Sequence, residues 1–188
     1  MIDAIEVVCL EGWYDILKAY AEQFGIAKLK YVISGGNSSQ ESIKIGLENL
    51  KNICNDGDII IIHDGIRPMV DDNIITSCIE TCESNGNGVT AYPVYEQIFE
   101  TKDGKTTDKY IPRESLRIVQ TPQAYKYKEI LDVYIEGFEK NIGIHGSSYA
   151  NTLMTDMGKK LYFSAGSTKN IKITTKDDIA IFKAMISF

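Results

Sequence analysis

The chain has 188 residues, with 20 basic and 26 acidic side chains and a formal net charge of −6 at pH 7. Hydrophobic residues make up 44% of it and charged residues 24%, which is typical of a globular protein and excludes a disordered or collagen-like chain. The acidic balance argues against nucleic-acid binding, and the longest apolar run, Ile59–Ile62, is too short to span a membrane. We expect one domain over residues 1–188.

The first half of the chain alternates between strand and helix patterns. Short apolar runs predict four strands, at residues 4–9, 29–33, 58–63 and 89–94. Apolar side chains at helical spacing predict three helices between them, at residues 13–24, 43–54 and 71–83. Because strands separated by helices need crossover connections, this pattern predicts an α/β fold with a parallel sheet.

The alternation breaks after the fourth strand. Residues 95–120 contain short strand-like pieces around Asp103-Gly104, a strong turn signal, and predict a β-arm that projects from the sheet. Further elements are predicted beyond the arm: a helix at 127–138, a loop at 141–152, strands at 160–165 and 170–174, and a helix that starts near Thr175 and packs through Ile179, Phe182 and Ile186.

The cysteines indicate the cellular compartment. Cys78 and Cys82 lie four residues apart in a helical pattern, and the sequence has no CxxC or Cys/His cluster. Packed core thiols are therefore favoured over metal ligands. Since the start of the chain also lacks the basic residues of a signal peptide, we expect the protein to be cytoplasmic.

Residues 34–42, with the sequence SGGNSSQES, connect the second predicted strand to the second predicted helix. Ligands of parallel sheets bind at the carboxyl ends of the strands, where such turns lie. Gly35 and Gly36 allow backbone N–H groups to approach a ligand closely, and Ser42 adds a hydroxyl group where the helix opens. The alternative is a simple glycine turn with Ser39 or Gln40 capping the helix, which the local sequence alone favours.

Residues 59–68 predict a buried apolar strand that ends in charged residues. Asp64 is placed to join Mg²⁺ to phosphates, Gly65 permits close approach, and Arg67 can hold a phosphate or pair with Asp64. The alternative is an Asp64–Arg67 ion pair that only shapes the loop. We slightly favour a functional role because charges at the end of a buried strand are costly without one. His63 is interpreted as structural.

Four later residues carry polar groups of interest. Lys172 alternates with two isoleucines, so it faces away from them and can bind phosphate as a point charge, or else lie at a solvated edge. Arg113, in the arm, has the same two interpretations. Thr121 and Gln123 follow a predicted strand and are interpreted as loop scaffolding.

These segments occur together in one order: the glycine loop with QESIKIGL, then HDGIRP, then QTPQ, then NIKIT. Over residues 3–186 the chain resembles the cytidylyltransferase family that includes 2-C-methyl-D-erythritol 4-phosphate cytidylyltransferase and ribitol-5-phosphate cytidylyltransferase. The resemblance implies a Rossmann-like, mostly parallel sheet with helices on both faces and a β-arm that forms a homodimer. It also implies transfer of a cytidylyl group from CTP to a sugar-alcohol phosphate, which yields a CDP-alcohol and pyrophosphate.

The resemblance implies roles for individual residues. Asp64 corresponds to the Mg²⁺ ligand, Lys172 to the lysine that meets the acceptor phosphate, and Arg113 to the arm arginine that reaches the neighbouring subunit's acceptor. Arg67 is the cation left beside Asp64 for the pyrophosphate. Nucleotide contacts are implied for five further residues: Gly35, Gly36, Asn37, Ser42 and Gly65.

The sequence departs from the family pattern at its start. Family members begin with a strand and a glycine-rich loop that holds the triphosphate, whereas this sequence begins at the family's second strand. We therefore expect the 188-residue chain alone to bind CTP poorly and not to turn over. The alternative function is that of a non-catalytic family member that dimerises or binds nucleotide weakly.

Two smaller departures concern the acceptor. Glu96-Gln97 stands where the family has an Asp-Thr pair, and Ser148-Tyr149-Ala150 stands in place of a Thr-Asp-acid run. Both weaken the case for methylerythritol 4-phosphate. Ribitol 5-phosphate thus becomes a comparable candidate for the acceptor.

Overall fold

The structure is a computed structural model that describes residues 2–146 and 149–187. Its chain divides into two compact units, each built from two stretches of sequence. Unit 1 contains Met1–Asp58 and Lys126–Lys160, and unit 2 contains Ile59–Tyr125 and Leu161–Phe188. The expectation of a single domain stays a prediction.

Strands and helices alternate through most of the described chain, as the sequence predicts. In order, the elements are β1 (Ile5–Cys9), α1 (Tyr14–Gln23), β2 (Leu29–Ser34), α2 (Ser39–Asn49), β3 (Ile59–Ile62), α3 (Asp72–Asn85), β4 (Asn87–Pro93), β5 (Ile98–Glu100), β6 (Lys109–Ile111), β7 (Arg117–Lys126), α4 (Tyr127–Lys140), α5 (Ala150–Asp156), β8 (Phe163–Ala165) and α6 (Lys176–Ile186). None of the described helices is long and apolar enough to cross a membrane.

Unit 1 is built on the parallel pair β1 and β2, whose register runs from Ile5 opposite Leu29 to Cys9 opposite Ser34. The parallel pairing confirms the predicted strand–helix–strand crossover. Helix α2 packs against β1 and α4, and α4 packs against α5. Large apolar side chains of these helices are buried in the core of the unit, among them Leu47, Tyr127, Ile130, Leu131, Tyr134, Leu153 and Met154.

Unit 2 contains a four-stranded sheet in the order β3-β7-β4-β8. Strand β4 pairs in parallel with β8 and antiparallel with β7, so the α/β class is confirmed while the sheet of this unit is mixed. Cys78 and Cys82, on α3, are fully buried against Ala124, which confirms the predicted core thiols. A Cβ at Gly88 would lie 2.3 Å from the carbonyl oxygen of Cys78, so only glycine permits this approach of helix and strand.

The predicted β-arm is present as the antiparallel hairpin of β5 and β6. Gly104 adopts a φ of 71° in the turn, a conformation that favours glycine. The carboxylate of Asp103 accepts hydrogen bonds from the backbone N–H groups of Lys105 and Thr106. The turn is therefore fixed by the two residues that predicted it.

Three predicted elements of unit 2 need correction. Residues 170–174 form no strand, and Thr121–Ala124 lie inside β7 rather than after a strand. Strand β3 is half-buried, whereas β4 and the second half of β7 are mostly buried. Burial on both faces was inferred for β3 from its four isoleucines, but apolar composition does not by itself set the solvent exposure of a strand.

Two helices also differ from expectation. The predicted loop at 141–152 ends earlier, because α5 begins at Ala150; Ser147 and Ser148 lie outside the described residues. Helix α6 does begin after Thr175, which caps it as predicted. However, Ile179 and Ile186 of α6 are 43% and 58% exposed, so the prediction that they pack as core is wrong.

Candidate functional site

A cluster of charged side chains in unit 2 surrounds Asp64, which follows β3. The Oδ2 atom of Asp64 forms an ion pair with Lys172 Nζ at 3.1 Å and accepts a hydrogen bond from Arg67 Nε at 3.3 Å. Thr121 Oγ1 accepts a hydrogen bond from the backbone N–H of Asp64 at 3.0 Å. One carboxylate thus lies between two cations, and this trio keeps a formal charge of +1. Such a cluster is suited to binding phosphate.

The loop that carries Asp64 is a tight turn. The backbone N–H of Arg67 donates to the carbonyl oxygen of Asp64 at 2.9 Å, and the His63 ring donates through Nε2 to the carbonyl oxygen of Arg67 at 3.2 Å. Burial lowers the pKa of His63 from its ordinary value of 6.5 and keeps the ring neutral. These contacts agree with a structural role for His63. The Asp64–Arg67 pair that defined the alternative is also present, with the Arg67 side chain 12% exposed and that of Asp64 30% exposed.

Two buried amides complete the cluster, and sequence reasoning missed both. Asn170 is fully buried and Gln120 is 4% exposed. The carbonyl oxygen of Asn170 accepts from Arg67 Nη1 and from Gln120 Nε2, both at 2.8 Å. The available signal was their position at the start of the QTPQ and NIKIT segments, but these partners are 50 and 103 residues apart in sequence.

The two other interpretations in this region concern Gly65 and Gln123. A Cβ at Gly65 would meet no atom within 4 Å, so the backbone there is open to close approach. Gln123 is buried in β7, where its Oε1 accepts from Tyr125 Oη at 2.8 Å. This contact agrees with scaffolding, although the scaffold is a strand and not a loop.

Arg113 lies on a short 3₁₀ helix, Arg113–Ser115, between β6 and β7. Its Nη1 donates to the carbonyl oxygen of Tyr95 at 3.0 Å, and its Nε lies 3.7 Å from Glu114 Oε1. The side chain is 55% exposed. The structure therefore connects Arg113 to the base of the arm, and its expected role toward a neighbouring subunit stays a prediction.

The glycine loop lies in unit 1 and is closed by its own polar groups. The backbone N–H of Gly36 donates to Ser42 Oγ at 3.1 Å, and that of Asn37 donates to Glu41 Oε2 at 2.6 Å. A Cβ at Gly36 would lie 2.4 Å from the Cβ of Glu41, so glycine is required there by packing on α2. These two N–H groups are used within the loop, which agrees with the glycine turn that the local sequence favours, while the expected nucleotide contacts stay a prediction.

The helix cap beside this loop is Ser38, whose Oγ accepts from the backbone N–H of Glu41 at 3.1 Å. The expectation that Ser39 or Gln40 caps the helix is wrong, because Ser39 is already the first helical residue. The N–H of Gly35 donates to the carbonyl oxygen of Cys9 at 2.9 Å and joins the loop to β1.

Gln40 is a further buried amide of unit 1. Its Nε2 donates to the carbonyl oxygen of Gly143 at 2.8 Å, and its Oε1 accepts from Tyr134 Oη at 2.7 Å. Burial raises the pKa of Tyr134, which therefore stays a neutral hydrogen-bond donor. A cavity of about 240 Å³ borders this amide, lined by Ser38, Ser39, Gln40, Ile144, His145, Gly146 and Tyr149.

The α/β fold and the cationic cluster around Asp64 define a class of protein that handles small phosphorylated ligands. The sequence profile of the family of 2-C-methyl-D-erythritol 4-phosphate cytidylyltransferase matches residues 3–187, and the chain belongs to this family. This confirms the resemblance drawn from the sequence motifs.

Individual relatives agree with this assignment. Ribitol-5-phosphate cytidylyltransferase of Lacticaseibacillus paracasei is 51% identical over 185 residues, which are 98% of this chain and 79% of that protein. The 2-C-methyl-D-erythritol 4-phosphate cytidylyltransferase of Clostridium acetobutylicum is 33% identical over 95% of this chain and 76% of its own length.

Solved structures match the fold. The 4-diphosphocytidyl-2C-methyl-D-erythritol synthase of Anaerococcus prevotii superposes with a TM-score of 0.84 at 23% identity, over 99% of this chain and 82% of that chain. Family and relatives together establish the activity as a nucleotidyl transfer: a cytidylyl group passes from CTP to a sugar-alcohol phosphate.

Proposed function

We propose that the acceptor of the cytidylyl group is ribitol 5-phosphate. The observation that carries this proposal is the 51% identity to a ribitol-5-phosphate cytidylyltransferase, against 33% to a relative named for methylerythritol 4-phosphate. Glu96-Gln97, which replaces the usual Asp-Thr pair after the fourth strand, supports the same acceptor.

Lys172 binds the acceptor phosphate in this proposal. Its ammonium group is a compact charge on a flexible stem, and its side chain is 30% exposed, so a ligand can reach it. The Asp64 carboxylate holds the ammonium group in place before the ligand arrives. A phosphate then competes with that carboxylate for the same three N–H donors.

Mg²⁺ is proposed as the cofactor, with Asp64 as its ligand. No group of three or more His, Cys, Asp or Glu side chains that could hold a metal occurs among the described residues. A single carboxylate still fits Mg²⁺, which is commonly bound by one or two carboxylates together with substrate phosphates. Asp64 fits this pattern, since its Oδ1 has no hydrogen-bond partner in the described part of the chain. Bound Mg²⁺ would neutralise charge on the triphosphate.

The residues of the cluster act by positioning and by charge neutralisation. The second pKa of a phosphate monoester is near 6, so the acceptor is mostly a dianion at neutral pH and needs no general base. Lys172 holds this phosphate while one of its oxygens attacks the α-phosphorus of CTP in line, and pyrophosphate leaves. Arg67, anchored by the carbonyl oxygen of Asn170, offers its guanidinium to the departing pyrophosphate.

The loop of unit 1 is proposed to contact the cytidine. Its backbone is fixed by the bonds of Gly36 and Asn37, so it offers a preformed surface. The Ser42 hydroxyl accepts from Gly36 and still has its own proton to donate. The exposed carboxamide of Asn37 adds two donors and one acceptor that suit the edge of a base.

The β-arm is proposed to form a homodimer. A two-stranded hairpin is marginally stable in water, and this one exposes the cross-strand pair of Phe99 and Tyr110 at 54% and 67%. Replacing both aromatic residues by serine should convert the dimer to a monomer in analytical ultracentrifugation.

Arg113 is proposed to serve the acceptor site of the partner subunit. Mixing Arg113→Ala chains with Asp64→Asn chains should then restore some activity, because one site of the heterodimer has both intact groups. A cytoplasmic location is also proposed, because the four cysteines form no disulfide among the described residues.

The acceptor is tested by calorimetry and by product formation. Ribitol 5-phosphate and methylerythritol 4-phosphate are titrated separately into the protein, and each is then incubated with CTP and MgCl₂ while pyrophosphate and CDP-alcohol are measured. We expect at least tenfold tighter binding of ribitol 5-phosphate and, in any preparation that turns over, CDP-ribitol as the main product. Equal or tighter binding of methylerythritol 4-phosphate would overturn the proposed acceptor. The calorimetric comparison is informative even without turnover.

A further inference from the structure

We propose that Asn170 and Gln120 are positioning residues for the acceptor phosphate, because they fix the segment that carries Lys172. This inference rests on the proposed role of Lys172. Residues 166–174 run without strand pairing after β8. Two backbone hydrogen bonds join this segment to the rest of unit 2. The N–H of Gly166 donates to the carbonyl oxygen of Ala91, and the N–H of Ile173 donates to that of Ile66, both at 2.9 Å.

Gln120 holds the first part of the segment. Its Nε2 donates to the carbonyl oxygen of Ser167 at 2.9 Å, and its Oε1 accepts from the backbone N–H of Ser167 at 3.2 Å. The side-chain amide thus pairs with both backbone groups of one residue, as a neighbouring strand would. A Cβ at Gly166 would lie 3.0 Å from Gln120 Oε1 and 2.8 Å from the backbone carbon of Ala91, so glycine makes room for this pairing.

Asn170 connects the segment to Asp64 through a shared residue. Its Nδ2 donates to the carbonyl oxygen of Thr121 at 2.9 Å, and Thr121 Oγ1 accepts from the backbone N–H of Asp64 at 3.0 Å. Lys172 follows Asn170 by two residues and meets Asp64 at 3.1 Å. The position of the ammonium group relative to Asp64 is therefore set through Thr121.

Both positioning side chains are neutral, and this suits the role. A charged group at either place would attract or repel the phosphate directly, whereas an amide fixes geometry and leaves the cluster's charge unchanged. The Oδ1 of Asn170 is buried and has no partner among the described residues. An unpaired buried oxygen costs free energy, which offsets part of the stability gained from the Nδ2 hydrogen bond to Thr121.

A double-mutant cycle tests the inference. Ribitol 5-phosphate is titrated by calorimetry into the wild type, Asn170→Ala, Lys172→Ala and the double variant. We expect Asn170→Ala to weaken binding about tenfold and Lys172→Ala to weaken it more. The double variant should bind no more weakly than Lys172→Ala, because Asn170 acts through Lys172. In a preparation that turns over, Asn170→Ala should raise the KM for the acceptor and leave the KM for CTP unchanged.

Asn87→Ala is the matched control. Asn87 is also buried in unit 2, where its Oδ1 accepts from the backbone N–H of Tyr162 at 3.0 Å. We expect this variant to lose thermal stability and to keep its affinity for the acceptor. If Asn170→Ala does not fold, Gln120→Met, which keeps volume and removes the amide, replaces it in the cycle with the same expected non-additivity.

Each alternative result has a defined meaning. Additive losses in the double variant, or an Asn170→Ala affinity within twofold of wild type, would overturn the positioning role while the role of Lys172 stands. Unchanged affinity in Lys172→Ala would remove Lys172 from the acceptor site and would overturn this inference together with that assignment. Failure of the wild type to bind ribitol 5-phosphate would instead refute the proposed acceptor.

Discussion

The glycine loop of unit 1 and the Asp64 cluster of unit 2 are built in opposite ways. The loop is closed by bonds between near neighbours, such as Gly36 to Ser42 and Asn37 to Glu41, six and four residues apart. The cluster is held by bonds that span 57 residues from Asp64 to Thr121 and 103 from Arg67 to Asn170. The loop therefore depends on local sequence, whereas the cluster depends on the tertiary structure of its unit.

The two regions also differ in the chemical groups that they offer to a ligand. The loop offers neutral groups on a fixed backbone, which suits the recognition of shape and of base edges. The cluster combines two cations and one carboxylate, so its net charge would change when a phosphate or a metal ion binds. Substitutions in the cluster should thus affect charge-dependent steps, and substitutions in the loop should affect stability and nucleoside affinity.

Removing the carboxylate of the cluster should give the largest effect. In a chain with a complete triphosphate site, Asp64→Asn is expected to lower Mg²⁺-dependent transfer by about 100- to 1000-fold, because it removes the proposed metal ligand. Acceptor affinity measured without metal should stay the same or rise, since the carboxylate of Asp64 no longer competes with the phosphate for Lys172. Paramagnetic Mn²⁺ titration and calorimetry separate the two quantities. Unchanged transfer would remove Asp64 from the mechanism.

Removing one cation should have the next largest effect. Lys172→Ala is expected to weaken acceptor binding about 10- to 100-fold, the value of a charge-assisted hydrogen bond of about 1.5–3 kcal/mol. Lys169→Ala is the matched control, because Lys169 is an exposed lysine of the same segment. Calorimetry with the acceptor should show a loss in the first variant alone. Equal losses in both would point to a general charge effect.

Replacing one glycine in each region tests how tightly the loop and the cluster are packed. Gly36→Ala should destabilise unit 1 by about 1–3 kcal/mol, because its Cβ would lie 2.4 Å from that of Glu41. Gly65→Ala should leave the melting temperature unchanged, since no atom lies within 4 Å of the added Cβ. If Gly65 is needed for close approach of the nucleotide, CTP affinity should still fall in that variant. Thermal denaturation and CTP titration of both variants measure these effects.

The smallest expected effect is a pH dependence in the Asp64 loop. Because burial lowers the pKa of His63 below 6.5, the unfolded state binds more protons there, and stability is lost as pH falls through 6.5 toward the lowered value. The melting temperature should decrease by about 1 °C more in the wild type than in His63→Gln between pH 7.5 and 5.5. An identical decrease in both proteins would contradict the assignment to His63.

The contrast between local and long-range contacts also explains which features could be predicted from the sequence. The alternation of β1 to β4 with helices, the Thr175 cap and the arm hairpin follow from residues close in sequence, and all were predicted. Asp64, Arg67 and Lys172 were found because each stands out chemically in its own segment. Asn170 and Gln120 were missed because they contact each other across 50 residues of sequence, and Asn170 contacts Arg67 across 103. The exposure of α6 was missed for a related reason, since an apolar pattern does not reveal what lies beside it.

The span between Arg67 and Asn170 also has a consequence for protein synthesis. At about 5–20 residues per second, a ribosome needs about 5–20 s to add the 103 residues that separate this pair. During that time Asp64 and Arg67 can pair with each other, but the lysine that completes the trio has not been made. A growing chain therefore has the carboxylate well before the second cation, and the trio is complete only after Lys172 has been added.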